Sequence, residues 1–147
     1  MTKVAIVQRS PVFLDKDKSI ALAVAAVKEA AAQKPDIVIF SEAFIPGYPT
    51  WVWRLRPGGD WALSEQLHQR LFDNAVNLAT DDLQPLYTAA REHGVIIVCG
   101  IEERDSHLSR STLYNTVIII GADGSLLNKH RKLMPTNPAR MVWGFGD

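Results

Sequence analysis

The chain has 147 residues, 47% of them hydrophobic, and its 16 basic and 16 acidic side chains give zero formal net charge. That size suits one domain with a real core. The charge balance lacks the basic surplus that nucleic-acid binding requires, and no apolar run is long enough to span a membrane. A single cysteine, Cys99, excludes an intrachain disulfide and fits a reducing compartment. The start, MTKVAIVQ, lacks the basic, apolar and small-residue succession of a signal peptide, so a cytoplasmic location is expected. Without net charge to hold copies apart, self-association is compatible with the composition.

Val4 to Gln8 reads as a first strand, broken by Pro11. Asp15 or Asp17 caps a helix running to about Gln33, with Ile20, Val24, Val27 and Ala31 at helical spacing. Lys34-Pro35 ends it. Ile37 to Phe40 is β-branched and aromatic and reads as a fully buried strand, parallel to the first. Glu42 follows at its exit. Tyr48 to Trp61 then holds Trp51, Trp53 and Trp61 with two arginines and Pro57-Gly58-Gly59. Such an aromatic loop is either packing beneath a surface excursion or a pocket wall or interface.

Ser64 to Leu78 is expected to be helical, with Leu63, Leu67 and Leu71 on one face. Thr80 or Asp81 is expected to cap the next helix, which stops at His93-Gly94. Val95 to Ile101 is a third strand with Glu102, Glu103 and Arg104 as its polar exit, followed by a polar loop over Ser106–Ser111. Leu113 to Ile120 and Ser125 to His130 pair as an antiparallel hairpin around GADG, a turn long enough for a small bulge. From Arg131 periodicity is lost. The Gly-rich ending, with Trp143 and Phe145 expected to be exposed, suggests the N-terminal part of a longer protein.

No pair of His68, His93, His107 and His130 has ligand spacing, so no metal is expected. No GxGxxG, GxxxxGK[ST] or GxSxG element is present. Cys99 lies inside VIIVCGI, where a free thiol acts as a small core hydrophobe. Glu42 is either a solvated loop acid or a site residue, since chemistry collects at strand exits in α/β sheets. Lys132 follows a strand end in HRK: it is either part of a solvated basic face or turns inward to meet Glu42.

FSEAFIPGYP around Glu42, HRKLMPT around Lys132, the hairpin LYNTVIIIGADGSLLNKHRK and the closing VWGFGD together resemble the nitrilase branch of the carbon–nitrogen hydrolase superfamily. The match runs in order along essentially the whole chain. The resemblance implies an α/β fold of four layers, an α-β-β-α sandwich, with residues 1–147 as the N-terminal part of a single domain. It implies no cofactor. It also implies Glu42 as general base, Lys132 as the lysine of the site, and a nucleophilic cysteine in a CWEN-like motif beyond the WGxGD segment. Cys99 does not match that motif. A supporting glutamate would fall seven residues after the lysine, where this chain has Ala139.

On this reading a thiolate attacks a nitrile, Glu42 takes the thiol proton and Lys132 stabilises developing charge. Tyr48 and Trp51, just after the Glu42 strand exit, are expected to line an apolar pocket for a small organic nitrile. Trp53 and Trp61 are candidates for subunit contacts, since the family forms homo-oligomers that extend into spirals or filaments. Two alternatives stay open: an amidase or carbamoylase of the same superfamily, and a non-catalytic assembly chain. A companion C-terminal polypeptide supplying the cysteine would exclude the last.

Overall fold

The apolar runs of the sequence become strands of one five-stranded sheet, ordered β1-β2-β3-β4-β5 in space as in sequence. The structure, a computed structural model, describes residues 1–107 and 109–147. The strands are β1 (Val4–Ile6), β2 (Ile37–Ile39), β3 (Ile96–Arg104), β4 (Leu113–Ile120) and β5 (Leu126–Arg131). β1, β2 and β3 are parallel, while β3-β4 and β4-β5 are antiparallel. The hairpin turn brings its bulge: Ile119 pairs with Asn128, but Ile120 pairs with Leu126. Leu108, within the expected polar loop Ser106–Ser111, lies outside the described residues.

Among the described residues, three α-helices connect the strands: α1 (Lys16–Ala31), α2 (Trp61–Asp73) and α3 (Gln84–His93). Asp15 caps α1, its carboxylate accepting the Lys18 amide at 3.0 Å. α3 ends at Gly94 in the left-handed conformation that glycine tolerates best. α1 and α3 pack together over one sheet face. Ile20, Ala23, Val27, Leu86 and Ala90 meet Val38, Ile97, Cys99, Ile118 and Ile120 there in the main core.

Alternation puts the remaining strand residues on the other face, which is apolar yet partly open. Ile37 and Ile39 are only half-buried there, and Val4, Ile6 and Val117 are exposed. β2 is therefore buried on one face, through Val38, and not on both as its composition suggested.

Four local expectations are corrected. α2 stops at Asp73, not Leu78, because Val76 leaves to bond with the edge of β3. Its N–H donates to Glu102 O (2.7 Å) and its carbonyl accepts from Arg104 (2.8 Å). The residues before α3 form a separate 3₁₀ turn, Asp81–Leu83, with no side-chain cap from Thr80. Asp82 instead accepts the Asn77 amide and pairs with Lys16 at 2.8 Å. β3 runs on through Glu102 and Glu103, and both are buried. Finally, Trp143 is only 2% exposed. The tail folds back, with Gly144 N–H donating to Leu113 O (2.9 Å) and Gly146 N–H to Lys132 O (3.1 Å), and this carries the indole inward. Phe145 remains exposed, as expected.

Candidate active site

Glu42 is placed by a detour of backbone across β3. Phe40 N–H donates to Val98 O at 2.8 Å, and Ile45 N–H donates to Gly100 O at 3.2 Å. Between these anchors the chain bows outward. Ala43, next to Glu42, takes the positive φ of 48°. For a residue with a side chain this conformation stores roughly 1–3 kcal/mol, which the anchors on either side maintain. Gly100 makes the crossing possible. A Cβ there would lie 2.5 Å from Ser41 O and Ala43 N and 2.8 Å from Glu42 Cα.

Strand register supplies the partners. Glu102 of β3 sits opposite Asn115 of β4, and Lys132 N–H donates to Asn115 O at 2.8 Å. Cross-strand neighbours share a face, so Glu102, Asn115 and Lys132 form a row at the end of the open face. Glu42 lies over that row. Asn115 Nδ2 donates to Glu42 Oε1 at 2.7 Å and Lys132 Nζ donates to the same oxygen at 3.0 Å. The inward turn of Lys132, one of two readings left open by the sequence, is the one found. The ion pair is half open to solvent, its side chains 37% exposed for Lys132 and 49% for Glu42.

Glu102 closes the inner end of the row. It is fully buried, and Trp143 Nε1 donates to its Oε2 at 2.5 Å. Among the described residues, Oε1 has no hydrogen-bond partner. Burial pushes the Glu102 carboxyl well above its ordinary pKa; the Trp143 hydrogen bond opposes this and the nearby Glu42 charge adds to it. Ala139 is fully buried in the cluster that holds Trp143, and its carbonyl accepts the Trp143 N–H at 2.9 Å.

The opposite face at this level is a structural brace. Arg131 donates through Nη2 and Nε to Glu103 at 2.6 and 3.0 Å, while Thr116 and Lys129 donate to the same carboxylate. Burial alone would raise the Glu103 pKa, but these hydrogen bonds hold it below its ordinary value. Arg131 also lies over the Tyr114 ring at 3.9 Å and bonds Asp147 at 3.1 Å, tying the tail to the sheet. Of the HRK bases, then, Arg131 is buried in a brace, Lys132 faces the site and His130 is exposed.

Tyr48 and Trp51 diverge. The Tyr48 ring meets Trp143 edge-on at 5.2 Å, which places it beside the site, and its hydroxyl accepts from Trp53 Nε1 at 3.2 Å. Trp51 packs edge-on against Phe13 at 6.1 Å and lines an apolar cavity of about 200 Å³ with Val52, Leu55, Trp61 and Val142. Glu42, Lys132 and Tyr48 do not line that cavity. Cys99 is buried in the main core, and burial pushes its thiol pKa up, away from reactivity.

Sequence reasoning missed Asn115, Gly100 and the inward turn of Glu102. The glycine carried a signal, since a lone Gly within an apolar strand marks close backbone approach. Among the described residues, no group of three or more His, Cys, Asp or Glu side chains could hold a metal ion, and no helix is long and apolar enough to cross a membrane.

A carboxylate, an amide and an ammonium converge at strand exits of an α/β sheet, the place where ligands collect in such folds. The sequence places the chain in a family. The chain belongs to the carbon–nitrogen hydrolase family, whose sequence model matches residues 3–147. It is 39% identical over 145 residues to an aliphatic nitrilase of Rhodococcus rhodochrous, covering 99% of this chain and 38% of that one. It is 37% identical over 145 residues to a nitrilase of Bacillus sp., covering 99% and 40%. The chain thus spans about two fifths of the length of these relatives. Among solved structures, an amidase from Nesterenkonia sp. superposes with a TM-score of 0.65 at 15% identity, over 99% of this chain and 48% of that one. A carbon–nitrogen hydrolase from Helicobacter pylori gives 0.65 at 16% identity, over 99% and 45%. These structures share the fold.

Proposed function

We propose that this chain contributes the base and the cation of a cysteine-dependent nitrilase, which converts a small organic nitrile to a carboxylic acid and ammonia. The observation that carries the reading is the Glu42–Lys132 pair at 3.0 Å, fixed by Asn115. Both donors occupy Glu42 Oε1, so Oε2 is the oxygen assigned to take the thiol proton. The thiolate sulfur then bonds to the nitrile carbon. A π pair of the C≡N bond moves to nitrogen, which is protonated to give a thioimidate, and the Lys132 ammonium stabilises the charge that develops. Water adds to the thioimidate carbon and ammonia leaves, giving a thioester. A second water releases the acid and restores the thiol, with Glu42 relaying the protons.

Cys99 is unsuited to this role, being buried in the core with its thiol pKa raised. The reading therefore assigns the nucleophile to polypeptide outside residues 1–147, either continuous with them or a companion chain. It also assigns residues 1–147 to one part of a single four-layer domain. Support for that assignment is the open apolar sheet face formed by Val4, Ile6, Ile37, Ile39 and Val117, the kind of surface a second sheet covers. Tyr48 is assigned to the pocket wall beside Trp143. Trp51 is assigned to the apolar cavity that it lines with Val142, the residue before Trp143. Trp53 and Trp61, both exposed, are assigned to homo-oligomer contacts.

The test is ammonia release from an organic nitrile and from the corresponding amide, by the protein together with the polypeptide carrying the cysteine. Release from the nitrile supports the reading. Release from the amide alone would move the protein to the amidase branch. Release from neither would leave a non-catalytic assembly chain, the alternative favoured by the buried Ala139.

A further inference from the structure

Glu102 is a buried acid that the chemistry above leaves unused. It is fully enclosed, yet it shares a face with Asn115 and Lys132 and feels the charge of Glu42. Among the described residues its carboxyl has one hydrogen bond, from Trp143, whose indole N–H donates to Oε2. An ionised carboxylate in this position would need several donors, and its second oxygen has none among the described residues. A carboxylic acid fits better. With Oε2 accepting from Trp143, the proton belongs on Oε1.

Resting on the reading of Glu42 as the site's base, we propose that Glu102 is the second carboxyl of the site. It acts as a proton-holding positioning residue that fixes Trp143 and takes the place of a carboxyl at position 139. Oε1 is closed to solvent, so Glu102 acts through its neighbours and not on substrate. Trp143 is the link. Its indole bonds Glu102, its backbone amide bonds the Ala139 carbonyl, its ring meets Tyr48 edge-on, and Lys132 Nζ lies 5.9 Å from its centre. Glu102 and Ala139, both fully buried, therefore flank one tryptophan, and only one of them carries an acid. Among the described residues, holding Glu102 neutral leaves Glu42 as the negative charge paired with Lys132. The charged groups facing this pocket are Glu42 from the β2 exit and Lys132 from the β5 exit; Tyr48 is the titratable group packed on Trp143.

The first test needs no activity. Carbon-13 NMR of glutamate carboxyls in the protein at pH 7 should show one protonated carboxyl, absent in Glu102→Gln. An ionised Glu102 at that pH would overturn the proposal, whatever the protein hydrolyses. The second test is an exchange in the active enzyme. Ala139→Glu alone crowds a second acid against Trp143 and should lower turnover about tenfold or more, and adding Glu102→Ser should recover most of that loss. Additive losses in the double variant would show that the two positions do not share a role. The third is the pH profile of kcat. A decline seen on the alkaline side in the unaltered enzyme, where ionised Glu102 would add a charge beside Glu42, should be absent from the profile of Glu102→Gln. An unchanged profile would reduce Glu102 to a packing role. Failure of the nitrilase reading would leave the NMR result standing, so the two are separable.

Discussion

The backbone of Glu42 crosses β3 at Gly100, so close that a Cβ at Gly100 would sit 2.8 Å from the Glu42 Cα. The position of Glu42 thus depends on a side chain that is missing. Gly100→Ala must push the 41–43 backbone off the sheet, since the clashing atoms are main chain and have no rotamer to change. Overpacking of this kind costs about 1–3 kcal/mol. Urea unfolding should show that loss, and turnover should fall by more than a stability change of that size explains. Full activity in Gly100→Ala would mean that Glu42 does not need this placement.

The Glu42–Lys132 pair should behave in the opposite way. It is half exposed, and such pairs contribute no more than about 1 kcal/mol to stability. Glu42→Gln and Lys132→Ala should leave the unfolding midpoint nearly unchanged and abolish turnover in the complete enzyme. Either variant turning over normally would remove that residue from the mechanism.

Behind the site, Glu103 should matter for folding. Its carboxylate and the Arg131 guanidinium are both buried, with side chains 3% and 8% exposed. Removing the acid leaves a buried cation without its main partner, and breaking such a pair typically costs about 3–5 kcal/mol. Glu103→Gln should therefore lower the unfolding midpoint far more than Glu42→Gln does. Equal effects of the two substitutions would contradict the division into brace and site.

Adjacent Glu102 and Glu103 also show where sequence reading ran out. Strand pairing was legible because VIIVCGI and LYNTVIII are long β-branched runs and GADG punctuates the hairpin. The meeting of Glu42 and Lys132 was legible as one of two readings, because both follow strand exits. A Glu-Glu-Arg run, however, resembles a solvated exit. It is buried because alternation sends Glu102 to Trp143, 41 residues on, and Glu103 to Arg131, 28 residues on. Local composition does not report partners that distant. The same holds for α2, whose helical periodicity continues past Asp73 while Val76 is captured by β3. A tertiary hydrogen bond there outweighs helix propensity.

The final prediction concerns stability against pH. The Glu102 pKa in the fold lies well above its ordinary value of 4.5, because burial disfavours the charged form. Above pH 4.5 the unfolded chain releases this proton while the folded chain keeps it, so the folded state binds more protons and stability falls as pH rises. The slope reaches at most about 1.4 kcal/mol per pH unit and ends where folded Glu102 ionises. Glu103 works in reverse. Its folded pKa lies below 4.5, so its contribution is present above that pH and is lost as pH falls through the folded value. The unaltered protein should lose stability at both ends. Glu102→Gln removes only the upper loss, so its stability relative to the unaltered protein should grow from pH 5 to pH 8. Urea midpoints at several pH values measure this directly, and parallel curves for the two proteins would show that Glu102 carries no held proton.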